Sequence, residues 1–245
     1  MKTMAKNGIL LPLVLLAVLF NWSPMNAQTT WDYPVKPGTP EWEAFETHHE
    51  MIEAIQIPDA ILSALTTKEL VEICLNYPLS FDFYAYNNLQ EGLRRNVAVH
   101  FNGVQELFRR QDNAQCLLEV LKGDDLLNMQ ALENVSSPSQ IGKSIVRNSL
   151  TEVLLSHESV LANAGTEQQK EIAAVAMKNL LIKERNPQAY SHYGLEASAY
   201  LLGSTLKKGN SKVALSPGLE KFLAGGGTRD VTLLIQELME CYVKF

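Results

Sequence analysis

The sequence predicts an all-α protein of antiparallel helix pairs, either stacked as a solenoid-like α-α superhelix or closed into a compact multi-helix bundle. Three observations predict it. Apolar residues recur at spacings of three and four, as half-buried helices require. Capping residues, prolines and glycines mark helix starts and stops in their expected places. Alternation of apolar and polar residues, the mark of a strand, nowhere persists for more than a few positions. The connections between these marks are short, so about eight to ten helices are expected, with sequential neighbours antiparallel. No fixed repeat period stands out.

The first segment reads as an address. Lys2 and Lys6 precede an apolar run from Ile9 to Phe20, followed by polar and turn residues and then Ala27. That order of charged, apolar and cleavage regions is a secretory signal peptide. The run is too short to span a bilayer. Residues 1–27 are therefore expected to be removed, and the chain to be periplasmic or extracellular. Met25 is bulkier than an Ala-x-Ala site prefers, so a cut one or two residues away is an alternative. The first cysteine is Cys74, so lipid attachment at the cleavage point is not expected. No later segment is apolar and long enough to cross a membrane.

Residues 28–39 form the second segment, an extended arm. Pro34 and Pro37 remove donors and restrict their neighbours, which excludes helix. Trp31 and Tyr33 are expected to bring this arm onto the body. A single helical domain, 40–245, follows. Thr39 caps and Pro40 takes the first helical position of a helix expected to reach about Ile57, where Pro58 stops or restarts it. Thr66 to Glu69, Ser137 to Gln140 and Thr166 to Gln169 read as capping boxes. Ser216-Pro217 and Thr228 open the last two helices. Stops fall at Asn163-Ala164-Gly165, Asn186-Pro187, Gly209-Asn210 and Gly225-Gly226-Gly227.

Between these marks lie three apolar stripes: Ile141 to Leu161, Ile172 to Leu180, and Val231 to Tyr242. Tyr190 to Leu206 differs. It is rich in Gly, Ala and Ser, and Glu196 is its one charge before Lys207, so it is expected to be the central, enclosed helix.

Composition narrows the function. The net charge of −6 becomes −8 once residues 1–27 are removed. An acidic chain is a poor match for nucleic acid or anionic lipid. The three cysteines, Cys74, Cys116 and Cys241, each sit among apolar residues. They read as small buried hydrophobes, with one disulfide plus a free thiol as the alternative. No zinc-ligand spacing joins them.

The catalytic and metal motifs are incomplete. Glu46 and His49 have the Glu-x-x-His spacing of di-iron bundles, but no second such pair exists, so a solvated helix face is expected. Gly142-Lys143-Ser144 ends like a phosphate loop, but Ser137 stands where the first glycine belongs. Gly225 to Thr228 is a possible anion-binding helix start, more simply a flexible connection. No Gly-x-Ser-x-Gly elbow is present. Asp82 and Glu91 flank an aromatic segment and are the best candidates for a paired-carboxylate site. No catalytic residue, metal ligand or cofactor is assigned.

The aromatic segment supplies the candidate binding groove: Phe81, Phe83, Tyr84, Tyr86, Asn87 and Asn88. Aromatic faces flanked by amides suit a peptide or glycan, though core packing at a helix junction explains the same cluster. The stretches YPVKPGTPEW (from Tyr33) and ELVEICLNYPL (from Glu69) resemble segments of secreted all-helical proteins of Gram-negative gut anaerobes. That resemblance implies export and carries no activity. The expectation is an exported, non-catalytic binding or scaffolding module of the cell envelope, partnered by an envelope protein or glycan. The alternative is a helical hydrolase acting on envelope or dietary glycan.

Overall fold

The computed structural model describes residues 31–123, 137–209, 214–225 and 231–245. The signal peptide expected at 1–27, and the Gly226, Gly227 and Thr228 expected before the last helix, lie outside the described residues. Every regular element among the described residues is helical.

The arm lies on the body. Tyr33 is buried and its hydroxyl donates to the Ile73 carbonyl at 2.8 Å. Trp31 meets the Tyr33 ring edge-on at 4.8 Å, and Tyr33 packs toward Phe101 at 6.2 Å. The arm's own bonds are few, among them Tyr33 N–H to Asp32 and the turn from Thr39 N–H to the Lys36 carbonyl, and the aromatic contacts tie it to the body.

The expected helix from Pro40 to Ile57 is two helices. α1, Pro40–Glu43, is capped by Thr39 as expected. The chain then breaks, and α2, His48–Ala54, begins at a new cap. The Thr47 side chain accepts from the Glu50 N–H at 3.2 Å, and the Glu50 carboxylate accepts from the N–H groups of Glu46 and Thr47 at 2.8 and 3.1 Å. This reciprocal box satisfies donors that a continuous helix would have used internally. α3, Asp59–Ala64, restarts after Pro58, and α4, Thr67–Leu75, opens on the expected Thr66–Glu69 box. After a 3-10 turn at Ser80–Tyr84, α5 runs over 89–100 as Leu89–Gly92, a π turn at Leu93–Val97, and Ala98–His100. α6 is Asn102–Leu107 and α7 is Asn113–Gly123.

The second half holds the long helices. α8, Pro138–Leu155, opens on the Ser137–Gln140 box. α9 is Glu158–Asn163. α10 is Thr166–Arg185, with Gly165, not Thr166, at the cap position. Thr166 is already helical, and Gln169 reaches back to the Ala164 carbonyl at 2.9 Å instead of closing a box. α11 is Pro187–Gly209, α12 Pro217–Leu223 and α13 Thr232–Val243.

α11 is the central helix. It packs along α8 and α10 and also meets α12 and α13. Gly194, Ala197, Ser198, Ala199 and Gly203 are all buried, so neighbouring helices approach closely. A Cβ on Gly203 would lie 2.9 Å from Leu223 Cδ2. The helix is broken at Ser191, whose φ of 58° and ψ of 171° belong to glycine's territory. Such a backbone stores about 1–3 kcal/mol of strain. The predicted stripes supply the core: Leu150, Val153 and Leu154, then Ile172, Ala176 and Leu180, then Leu234, Ile235 and Leu238 are buried. Cys74 and Cys241 are buried and Cys116 half-buried; all three are free thiols. No described helix is long and apolar enough to cross a membrane.

Candidate functional site

A cavity of about 540 Å³ opens where α5, α8, α9, α11 and α12 meet. Small-molecule sites typically occupy roughly 300–1,000 Å³. Its floor is buried: Gln90 and Leu93 from α5, Val153 at the end of α8, Ser156 after it, Leu161 of α9 and Leu223 of α12. Its rim is charged and exposed: Arg94, Glu158, Lys207 and Lys208. His157, Tyr200 and Ser204 stand between floor and rim.

Local structure explains each position. Leu93 and Arg94 open the π turn, a form of helical defect that recurs at functional sites. Lys207 and Lys208 occupy the last turn of α11, where the helix dipole favours cations. Arg94 rests on Gly225, which has φ +88°. The backbone there favours glycine, and a Cβ would lie 2.3 Å from an Arg94 guanidinium nitrogen, so a side chain would displace the end of Arg94. The Gly225 carbonyl accepts from Asn88 Nδ2 at 3.4 Å, and Tyr200 donates to the Leu223 carbonyl at 2.9 Å. These two bonds fasten the α12 wall to α5 and α11.

His157 is stacked on Phe108, with ring centroids 3.9 Å apart and planes 6° from parallel. Its Nδ1 accepts from the Ser159 N–H at 3.4 Å and lies 2.8 Å from the Ser159 hydroxyl. Burial pushes its pKa below the ordinary histidine value, against the Glu158 carboxylate and with Arg94 adding to the shift. The Gln90 side-chain nitrogen is buried and has no hydrogen-bond partner. A buried donor left unmade costs about 1–3 kcal/mol, and this one is sealed from the cavity's solvent. Glu158 is the one carboxylate among the described lining residues, against three cations.

The six residues predicted as a groove do not share one surface. Phe83 is buried against Tyr77, and Asn88 is buried as the cap of α5, its Oδ1 accepting from the Glu91 N–H at 2.8 Å. Phe81 is 84% exposed. Tyr84 meets Tyr193 edge-on at 5.2 Å, Tyr86 lies under the Arg95 guanidinium at 5.8 Å, and Asn87 donates to Glu91 at 3.4 Å. Of the six, Asn88 reaches the cavity's surroundings, through Gly225. The flanking carboxylates have separate partners: Asp82 Oδ1 lies 3.0 Å from His48 Nε2, and Glu91 accepts from Arg95 at 2.8 Å. His49 lies 3.3 Å from the Glu53 carboxylate on an exposed face, and Glu50 is engaged in the α2 cap.

A second polar cluster is sealed inside the protein. Glu152 and Lys183 pair at 2.6 Å with both side chains 0% exposed. Asn179 and Ser198 donate to the other Glu152 oxygen at 2.9 and 2.7 Å, and Lys183 also donates to the Gly194 carbonyl at 3.2 Å. Burial pushes the Lys183 pKa down, against the stabilising Glu152 charge. With every carboxylate oxygen engaged and no exposure, this cluster joins α8, α10 and α11 rather than meeting a ligand.

Sequence reasoning did not assemble the cavity. Its residues come from five helices and the connection between α8 and α9, spread from Gln90 to Leu223, and no short motif spans them. Comparison with protein-family models, with curated protein sequences and with solved structures gave no match.

Proposed function

We propose that the protein is an exported, non-catalytic binding module of the cell envelope, and that the cavity beside Arg94 and Tyr200 is its ligand site. The signal-peptide pattern at the N-terminus supports export. One observation carries the binding reading: an open cavity of ligand size, about 540 Å³, with a buried floor and a charged rim of Arg94, Glu158, Lys207 and Lys208. Groove binding through the exposed aromatics around Phe81 is less favoured, because Phe83 and Asn88 are taken up by the fold. Glycoside hydrolysis usually needs two carboxyl groups about 5–10 Å apart. The cavity's described lining offers Glu158 alone.

Ligand-observed NMR on the mature chain, with a mixed set of neutral, acidic and basic small molecules, tests this. Saturable binding is expected, lost in Ser204→Trp, with every ligand recovered unchanged. Turnover that disappears in Glu158→Gln would establish the hydrolase instead. Binding that survives Ser204→Trp would move the site elsewhere.

A further inference from the structure

We propose that the ligand of this cavity is a small organic anion, recognised through an oxyanion by Arg94, Lys207 and Lys208. The proposal rests on the binding-module reading and adds the ligand's chemical class.

The inventory of donors and acceptors carries it. Two cavity hydroxyls are committed to backbone: Tyr200 donates to Leu223 at 2.9 Å and Ser156 to Val153 at 2.7 Å. Among the described lining residues, the charged groups are mostly donors. His157 Nδ1 is engaged by Ser159, 3.4 Å from its backbone nitrogen and 2.8 Å from its hydroxyl. Arg94, Lys207 and Lys208 form no ion pair with a described residue. Against these stands Glu158. Among the described lining residues three cations stand against one carboxylate, and such a surplus fits a ligand that is negatively charged and made of acceptors.

Placement supports the same conclusion. The Arg94 guanidinium is seated on Gly225 by close contact. A planar fork at a cavity mouth is well suited to carboxylate or phosphate. The setting also matters. The whole chain has a net charge of −6, so a local surplus of cations is set against the molecule's general acidity. Binding of extended polyanions calls for a basic face. Here the positive charge gathers around a cavity floored by Leu93, Val153, Leu161 and Leu223, which suits a small anion with some carbon to cover.

Calorimetric titration of the mature protein with matched probes tests the class. The pairs are succinate with succinamide, glucuronate with glucose, and glucose 6-phosphate with glucose; inorganic phosphate is titrated alone. At least one organic anion is expected to bind about tenfold or more tightly than its neutral counterpart, the advantage of a charge-assisted contact. Arg94→Gln, and separately the double variant Lys207→Gln/Lys208→Gln, should abolish that preference, while Lys170→Gln on α10 should leave it intact. Equal binding of neutral and anionic members, or a preference that survives both sets of variants, would overturn the anionic class. Neutral binding lost in Ser204→Trp would still leave the binding module standing. Inorganic phosphate binding as tightly as every organic anion would replace the organic ligand with free phosphate. No binding by any probe, together with silence in the mixed-ligand NMR, would remove both proposals.

Discussion

At the scale of the residue, burial rather than residue type decides what a charge does. Glu152 and Lys183 lie in amphipathic patterns where they resemble any solvated pair, and nothing in the sequence marks them as enclosed. Glu196 was legible as the one charge in a small-residue helix. Replacing one partner of a buried pair leaves the other uncompensated, so Lys183→Met is expected to destabilise the protein by about 3–5 kcal/mol. Adding Glu152→Leu should recover much of that loss. Urea unfolding measures both, and a loss below about 1 kcal/mol for the single variant would contradict a dry pair.

Glu196 makes a pH-dependent prediction. Its side chain is almost fully buried, one oxygen lies 3.0 Å from His192 Nε2, and the other has no partner. Burial raises its pKa above the ordinary 4.5, outweighing His192. The folded chain therefore keeps this proton at pH values where the unfolded chain has lost it. Its contribution to stability falls as pH rises from about 4.5 toward the raised folded value. Glu196→Gln, which is never charged, should melt higher than the parent at pH 7, with the advantage vanishing near pH 4. An unchanged difference across that range would show that burial does not govern Glu196.

At the scale of the element, helix punctuation was more legible than helix length. The boxes at Thr66 and Ser137 and the cap at Ser216 are formed as their residues predict. The long first helix failed because Thr47 to Glu50 is itself a capping box, and that local signal outweighs continuing periodicity. Thr166 failed for the opposite reason, since the extended Gly165 already provides the helix entry. The arm behaves as its aromatics require. Burying one such ring stabilises by roughly 1.5–3 kcal/mol. For a domain of this size, that corresponds to a melting decrease of about 3–12 °C when residues 28–38 are deleted. Differential scanning calorimetry of the truncated chain checks this. An unchanged melting temperature would mean that the Tyr33 contacts contribute nothing in solution.

At the scale of the whole molecule, the fold class followed from periodicity because each helix reports its own buried face. The cavity did not, because it is a product of how five helices meet. Gln90, Arg94, Tyr200 and Lys207 are unremarkable where they stand in the chain. Packing of α5 against α11, with Gly225 after α12 beside Arg94, brings them together. The aromatic run around Phe81 was the louder local signal, yet much of it serves the junction between α4 and α5. The most direct test of the cavity as a ligand site is an amide NMR titration of the mature chain with glucuronate, following the Gln90 side-chain amide. If the cavity is the site, that signal shifts with Arg94, Ser204 and Lys207, and glucose leaves all four nearly unmoved. Shifts clustered around Phe81 and Tyr86, with Gln90 unchanged, would contradict it.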